Sequence, residues 1–127
     1  MYKEVEYEDI FSEDSVLSIS KEDFNLIKIG KNPFISVVIL DDIDNASKCI
    51  KESFKNLKEG MDCNDNAIIY IKAKENLTLI DQAKIIEEIR NNFKVELNVI
   101  YGVAINDKFK DNITIYIISS KNELCVA

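Results

Sequence analysis

The apolar residues of this chain follow two repeating patterns. Four segments are rich in β-branched and aromatic residues, or alternate apolar with polar ones, which is typical of strands. We expect strands at residues 34–40, 67–71, 96–105 and 112–119. The first of these is apolar over nearly its whole length, as in a strand that is buried on both faces.

Two longer segments between these strands show helical spacing. In the first, which should end near Gly60, the apolar positions are Ile43, Ala46, Ile50, Phe54 and Leu57. The second begins at a capping box, in which Thr78 is the N-cap and Asp81 folds back. Its expected inward stripe is Leu79, Ala83, Ile86, Ile89 and Phe93.

The element order is therefore β-α-β-α-β-β. The short turn between the last two strands predicts that they are antiparallel neighbours. Right-handed crossovers in the earlier part would place both long helices on one side of the sheet. The pattern predicts an α/β fold, a two-layer sandwich of a mixed four-stranded sheet with two long helices on one face.

Residues 1–17 are more acidic than residues 18–127, which we expect to form the domain. Residues 1–14 hold six acids and one base, a balance of −5 within a total of −7. Apolar residues interrupt these acids at Tyr2, Val5, Tyr7, Ile10 and Phe11. A short helix should follow, beginning at Ser20 and ended by Gly30 and Pro33.

Both faces of the predicted sheet are apolar, although the helices cover only one. In residues 113–118, for example, Thr114 is the only residue that is not isoleucine or tyrosine. A bare apolar face would be an exposed hydrophobic patch. We expect the acidic leader, residues 1–17, or a second copy of the chain to cover it.

The composition excludes several classes of function. The net charge of −7 argues against nucleic-acid binding. No apolar run approaches the roughly 20 residues of a membrane span, and no signal peptide opens the chain, so we expect a cytoplasmic protein without membrane contact. With no histidine, a single arginine and three glycines, the chain offers no catalytic residues and no cofactor-binding loop.

One acidic cluster leaves two interpretations open. Asp41, Asp42 and Asp44 could hold Mg²⁺ or Ca²⁺ through oxygen ligands. Acids at a helix N-terminus more often complement the helix dipole and cap the helix. We favour capping and expect no metal site.

Residues 66–120 carry a family resemblance. A hydrophobic strand (67–71), a turn (72–76), a Leu-Thr-Leu helix start (77–79), a long helix (80–93) and two strands (98–106 and 111–120) follow one another. This series resembles the C-terminal domain of FtsZ, the tubulin-like bacterial division GTPase. The resemblance implies the two-layer fold described above. These 127 residues contain no counterpart of the GTPase domain, which argues against enzymatic activity.

The resemblance also identifies candidate contact residues. In FtsZ a loop of the form N-x-D-F-x-D enters the nucleotide pocket of the next subunit, and its counterpart here runs from Lys21 through Asp23 and Phe24 to Leu26. Leu26 replaces the acid that is central to hydrolysis, so docking here should not promote it. The alternative is that Asp23 is a cap and Phe24 a core anchor.

The second long helix belongs to the longitudinal contact surface in FtsZ filaments. The resemblance therefore marks Asp81, Lys84 and Glu88 as candidate partner-binding residues, although a charged helix face is more often only solvated. The resemblance implies a non-enzymatic domain that binds itself or caps filaments of an FtsZ-like or tubulin-like GTPase. The alternative is a small oligomeric enzyme or ligand-binding protein of chorismate-mutase-like architecture.

Overall fold

The structure is a computed structural model, and it describes residues 31–57 and 60–121. The leader and the short helix expected at Ser20 lie outside the described residues. The described residues contain four strands: β1 (Lys31–Leu40), β2 (Asn66–Ala73), β3 (Asn98–Ile105) and β4 (Ile113–Lys121). All four predicted strands are confirmed, with small shifts at their ends.

The strands form one mixed sheet in the order β1-β4-β2-β3. β4 is antiparallel to both of its neighbours, β1 and β2, whereas β2 and β3 are parallel. The prediction that the last two strands are neighbours is therefore wrong, because β2 lies between them. Loop length alone favours adjacent pairing, but it does not require it.

The connection between β3 and β4 shows how the chain steps across β2. The backbone N–H of Asn106 donates to the carbonyl of Ala73 (3.0 Å), and the N–H of Lys74 donates to the carbonyl of Asn112 (3.0 Å). Residues 106–112 thus pass over the carboxyl end of β2. Two strand spacings of about 4.8 Å are well within the reach of seven residues.

Two α-helices pack on one face of this sheet. α1 (Ala46–Ser53) is extended at its two ends by 3₁₀ turns at Ile43–Asn45 and Phe54–Asn56. α2 (Leu79–Arg90) is a single helix. A third 3₁₀ turn, Met61–Cys63, follows Gly60, whose φ of 92° lies in the left-handed region that glycine adopts without a Cβ clash. None of the helices in the described part of the chain has the length and apolar character that crossing a bilayer requires.

The stripe predicted for the first helix is confirmed. Ala46, Ile50 and Phe54 are buried, and Ile43 and Leu57 pack against the same core. The stripe predicted for α2 is wrong in its first turn. Ile85 and Ile89 are fully buried together with Gln82, whereas Leu79 and Ala83 face solvent. At about 100° per residue, Leu79 lies roughly a quarter turn from the stripe that Ile85 and Ile89 define.

The core between the helices and the sheet is apolar and contains three packed aromatic rings. The Phe34 and Phe54 rings stack with their centroids 5.1 Å apart. The Phe54 and Phe93 rings meet edge to face, with their centroids 5.4 Å apart. Alternate side chains of β2 and β4, such as Ile69 and Ile115, complete this core. Such ring pairs add about 0.5–1.5 kcal/mol beyond the area that they bury.

A buried amide fixes the turn that precedes β2. Asn64 is fully buried, and its Nδ2 donates to the hydroxyl oxygen of Ser119 on β4 (3.2 Å). Close to it, the ammonium of Lys94 contacts Asp62 Oδ2 at 3.1 Å, and the backbone N–H of Lys94 donates to the Asp62 carbonyl (2.8 Å). The segment after α2 is thereby tied to the 3₁₀ turn at Met61–Cys63.

The first prediction compares two isoleucines of opposite environment. Ile115→Ala leaves a cavity in the core and should lower the free energy of unfolding by about 2–5 kcal/mol. Ile80→Ala removes the same atoms from a side chain that is 82% exposed and should change it by less than about 0.5 kcal/mol. Urea unfolding of both variants measures the difference, and equal losses would contradict the assigned burial.

The second prediction concerns the ion pair of Asp62. The hydrogen bond from Lys94, together with its positive charge, lowers the pKa of Asp62 below 3.8, and the same contact raises the pKa of Lys94 above 10.5. Because the folded pKa of Asp62 is depressed, its contribution to stability is present above pH 3.8 and is lost as the pH falls through the folded value.

In Lys94→Met, the titration midpoint of the Asp62 carboxyl, followed by NMR, should rise towards 3.8. Lys84→Met, which removes an exposed lysine of α2, should leave that midpoint unchanged. A midpoint that stays in place in Lys94→Met would show that the pair does not form in solution. The side chain of Lys94 is 73% exposed, so the effect on global stability is small.

Candidate partner-binding surface

The candidate surface lies at the start of α2, and local hydrogen bonds determine its shape. The hydroxyl of Thr78 accepts a hydrogen bond from the backbone N–H of Asp81 (3.1 Å), which confirms Thr78 as the N-cap. The side-chain amide of Gln82 donates to the Leu77 carbonyl (3.1 Å). These two contacts hold the loop before the helix against its first turn.

The first turn of α2 exposes two large apolar side chains. Leu79 is 77% exposed and Ile80 is 82% exposed. We call this pair the α2 tip. Leucine and isoleucine seldom expose so much surface side by side unless they form a contact, because leaving them in water forgoes about 1.5–3 kcal/mol per side chain.

Sequence reasoning missed the α2 tip. It placed Leu79 inward and did not single out Ile80. The information was present in the sequence, since a helix capped by Thr78 with Ile85 and Ile89 buried must turn Ile80 to the opposite side. Leu79 looks like a member of the inward stripe unless the stripe is first defined by Ile85 and Ile89, and the exposed position of the first turn was therefore overlooked.

The three charged residues predicted on this helix lie beside the α2 tip. Asp81 and Glu88 are half-buried, and Lys84 is exposed. At about 100° per residue they fall within a sector of about 60° on one flank of the helix. Within the described part of the chain, no ion pair joins them. Their charges are therefore available to groups on a partner.

The other four predicted contact residues, Lys21, Asp23, Phe24 and Leu26, lie outside the described residues. The structure thus places three of the seven predicted contact residues. What it adds is a cleft that sequence reasoning did not identify.

A cleft of about 340 Å³ opens next to the α2 tip, at the carboxyl ends of β1 and β2. Its polar lining includes Asp41, Asp42, Glu75, Asp81, Lys74, Asn76 and Asn112. We call it the acidic cleft, since four carboxylates face one lysine. The Nδ2 of Asn112 donates to the carbonyl of Asp41 (3.0 Å), which joins the end of β1 to the start of β4.

One acid of the cluster before α1 acts as a cap. Asp42 is the N-cap of the 3₁₀ turn, and its Oδ1 accepts a hydrogen bond from the N–H of Asp44 (3.0 Å). Among the residues that the structure describes, no group of three or more acids or cysteines has the arrangement of a metal site. The capping interpretation of this cluster is confirmed for Asp42.

The third prediction tests the cap that positions the α2 tip. Thr78→Ala removes the acceptor for the Asp81 N–H and should lower the free energy of unfolding by about 1 kcal/mol, whereas Thr78→Ser keeps an acceptor and should lose much less. Urea unfolding measures both, and amide exchange in the first turn of α2 should accelerate only in the alanine variant. A serine variant as unstable as the alanine variant would contradict the cap.

Comparison with known proteins now adds to this geometry. Residues 37–121 match the family described as the FtsZ family, C-terminal domain. No curated protein sequence matches the chain. The family match covers β4 and all of α2, including the α2 tip.

Solved structures share the fold. An FtsZ dimer from M. jannaschii is similar to the chain with a TM-score of 0.68 and 13% identity, over 94% of this chain and 40% of that one. A point mutant of M. jannaschii FtsZ gives a TM-score of 0.69 and 15% identity, over 94% and 37%. The protofilament of TubZ from Bacillus thuringiensis serovar israelensis, in its GTPγS form, gives 0.51 and 17%, over 69% and 24%.

The chain spans about 40% of the length of the FtsZ structures that it resembles, and the domain that it matches is the non-catalytic part of FtsZ. Identities of this size establish a shared fold, while the family match covers two thirds of the sequence. The predicted resemblance and the two-layer α/β fold are both confirmed. The chain belongs to the FtsZ family, as a representative of its C-terminal domain.

Proposed function

We propose that this chain is a non-enzymatic protein-contact domain that binds the subunits of an FtsZ-like filament through the α2 tip. The observation that carries this proposal is the exposure of Leu79 and Ile80 on a domain of a family whose structures include a dimer, with a protofilament among the tubulin-like relatives. The binding partner is an FtsZ-like or tubulin-like GTPase of the cytoplasm, and no cofactor takes part.

The α2 tip has the form of an interface centre. Two adjacent apolar side chains supply area to bury, and the charged flank of Asp81, Lys84 and Glu88 forms a polar rim on one side of them. Interfaces commonly place apolar anchors at the centre and polar groups at the edge. The anchors provide affinity, and the rim provides orientation.

The acidic cleft adds a requirement on the partner. Four carboxylates beside the α2 tip favour a partner surface that carries lysine or arginine at the matching position. Opposite charges across an interface accelerate association and disfavour partners with an acidic surface. Binding should therefore weaken as the salt concentration rises.

Bound at the end of a filament through the α2 tip, this domain would occupy the surface that the next subunit needs. A filament elongates only if each FtsZ-like subunit contacts a neighbour through each of two surfaces. When this domain occupies the free surface of the last subunit, no further subunit can add there. The family resemblance of residues 21–26 implies that Leu26 replaces the hydrolytic acid, so we expect capping without stimulation of GTP hydrolysis.

The fourth prediction is a sedimentation experiment with the FtsZ-like GTPase of the same organism. With GTP present, substoichiometric amounts of this protein should reduce the pelleted GTPase at least twofold, because one cap blocks one filament end. The double variant Leu79→Ser/Ile80→Ser should lose this effect. Its unfolding curve should stay close to that of the parent, since both side chains are already exposed.

Val95→Ser is the matched control. Val95 is 41% exposed and lies beyond the other end of α2, about 18 Å from the tip for a helix of 12 residues. This variant should reduce pelleting as the parent does. Unchanged pelleting with the parent protein over a wide range of ratios would overturn the capping role. Full activity of the double variant would overturn the α2 tip as the contact.

A further inference from the structure

The side of the sheet that faces away from α1 and α2 is built as a core surface. We call it the second face. Three rows of side chains cross it in register: Ile35, Ile118, Ile68 and Ile100; Val37, Tyr116, Tyr70 and Gly102; Ile39, Thr114, Lys72 and Ala104. Among these twelve positions Lys72 is the only charged one. A surface of this composition is typical of a protein interior.

The centre of the second face is fully buried. Ile68, Tyr70 and Ala104 have no exposed surface, and Ile118 is 3% exposed. The neighbours of Tyr70 within the sheet cover its ring on one side only, because the Tyr116 ring packs there with its centroid 6.2 Å away, whereas Gly102 on the other side has no side chain. Something must therefore lie across these side chains.

The described residues supply only a small part of this cover. Phe109, from the connection between β3 and β4, packs at one end of the second face, where the Lys72 ammonium lies 5.2 Å from its ring centroid. Both α-helices of the described part pack on the opposite side. The remaining cover has to come from outside the described residues.

The extent of the cover can be read from the exposure at the edges. Ile39, at the carboxyl end of β1, is 43% exposed; Ile35 and Ile100 on the edge strands are half-buried, as is Tyr116 on β4. A segment docked on the second face would therefore lie over Ile68, Tyr70, Ala104 and Ile118, and would leave the corner at Ile39 open.

Three segments lie outside the described residues: 1–30, 58–59 and 122–127. Two or six residues are too few to bury the middle of a four-stranded sheet. Residues 1–30 lead directly into Lys31, the first residue of β1, and in extended form they would reach about 100 Å. Only this segment has the length and the apolar content for the task.

We propose that residues 1–30 form the cover of the second face, and that the apolar side chains of the acidic leader, residues 1–17, supply its contact with β2 and β4. Tyr2, Val5, Tyr7, Ile10 and Phe11 are the apolar residues nearest the start of this leader. Because the segment is tethered to β1, its effective concentration at the face is in the millimolar range or above, so modest contacts are enough to keep it docked.

Charge supports the same assignment. The first 14 residues carry a balance of −5. The second face offers the cation of Lys72, and the exposed Lys108 and Lys110 adjoin Phe109 at its end. An acidic segment is therefore the better complement to this face, while its apolar side chains bury the isoleucine row.

The fifth prediction is tested on the full chain with isoleucine methyl groups labelled with ¹³C. Ring protons of Tyr2, Tyr7 or Phe11 should show nuclear Overhauser contacts to the methyl groups of Ile68 and Ile118. Methyl groups on the helix side, at Ile50 and Ile89, should show none. The two sets of isoleucines lie in one protein, which makes the helix side an internal control.

A mixture of labelled and unlabelled chains separates this chain's own leader from that of a second copy. Contacts within one labelled chain support the proposal. Contacts that occur only between differently labelled chains would overturn it in favour of self-association through the second face. The absence of contacts from residues 1–30 would overturn it as well.

A pair of variants adds a second readout. Val5→Asp/Ile10→Asp should increase the relaxation of the Ile68 and Ile118 methyl groups by a soluble paramagnetic agent at least twofold, and should leave Ile50 and Ile89 unaffected. Ser12→Asp/Ser15→Asp adds the same charge to the leader without removing apolar side chains, and should have little effect. Equal effects of the two pairs would overturn the role of the leader's apolar residues.

Discussion

β4 is the strand on which the rest of this sheet depends, because it is hydrogen-bonded along both edges and packed on both faces. β1 has its described pairing in β4 alone, and β2 is held between β4 and β3. Alternate residues of β4 enter different cores: Ile115 and Ile117 face the helices, and Ile118 faces the opposite way. A polar substitution in this strand therefore affects two packed layers, and a shift of register by one residue would exchange them.

The sequence allowed the element types to be predicted, and the reasons are local. Capping by Asp42 and Thr78, and the helical spacing of Ala46, Ile50 and Phe54, are properties of neighbouring residues. The order of the strands is a property of the whole chain. The seven-residue connection after β3 is long enough to place β4 beside β3 or on the far side of β2. The position that β4 takes depends on which arrangement buries it on both faces. Short-range rules do not contain that information.

The candidate surface was predictable only in part for a similar reason. The family resemblance marked α2 through Asp81, Lys84 and Glu88, but the exposure of Ile80 depends on which turn of the helix meets the core. That is decided by the packing of Ile85 and Ile89 against the sheet. The acidic cleft likewise forms from residues that are distant in sequence, such as Asp41 and Asn112. The α2 tip and the second face are therefore different in kind, since one exposes apolar residues and the other buries them.

The central place of the last strand has a consequence for synthesis. On the ribosome, residues 31–105 emerge with β1, α1, β2, α2 and β3, yet in the described sheet β1 has no edge to pair with until residues 113–121 follow. The β2–β3 pair can form early, whereas β1 remains without its hydrogen-bonding partner until β4 inserts between β1 and β2. Since non-local strand pairing is slow, the nascent chain passes through a stage with unpaired strand edges. A chaperone that shields such edges would act before residues 113–121 leave the ribosome.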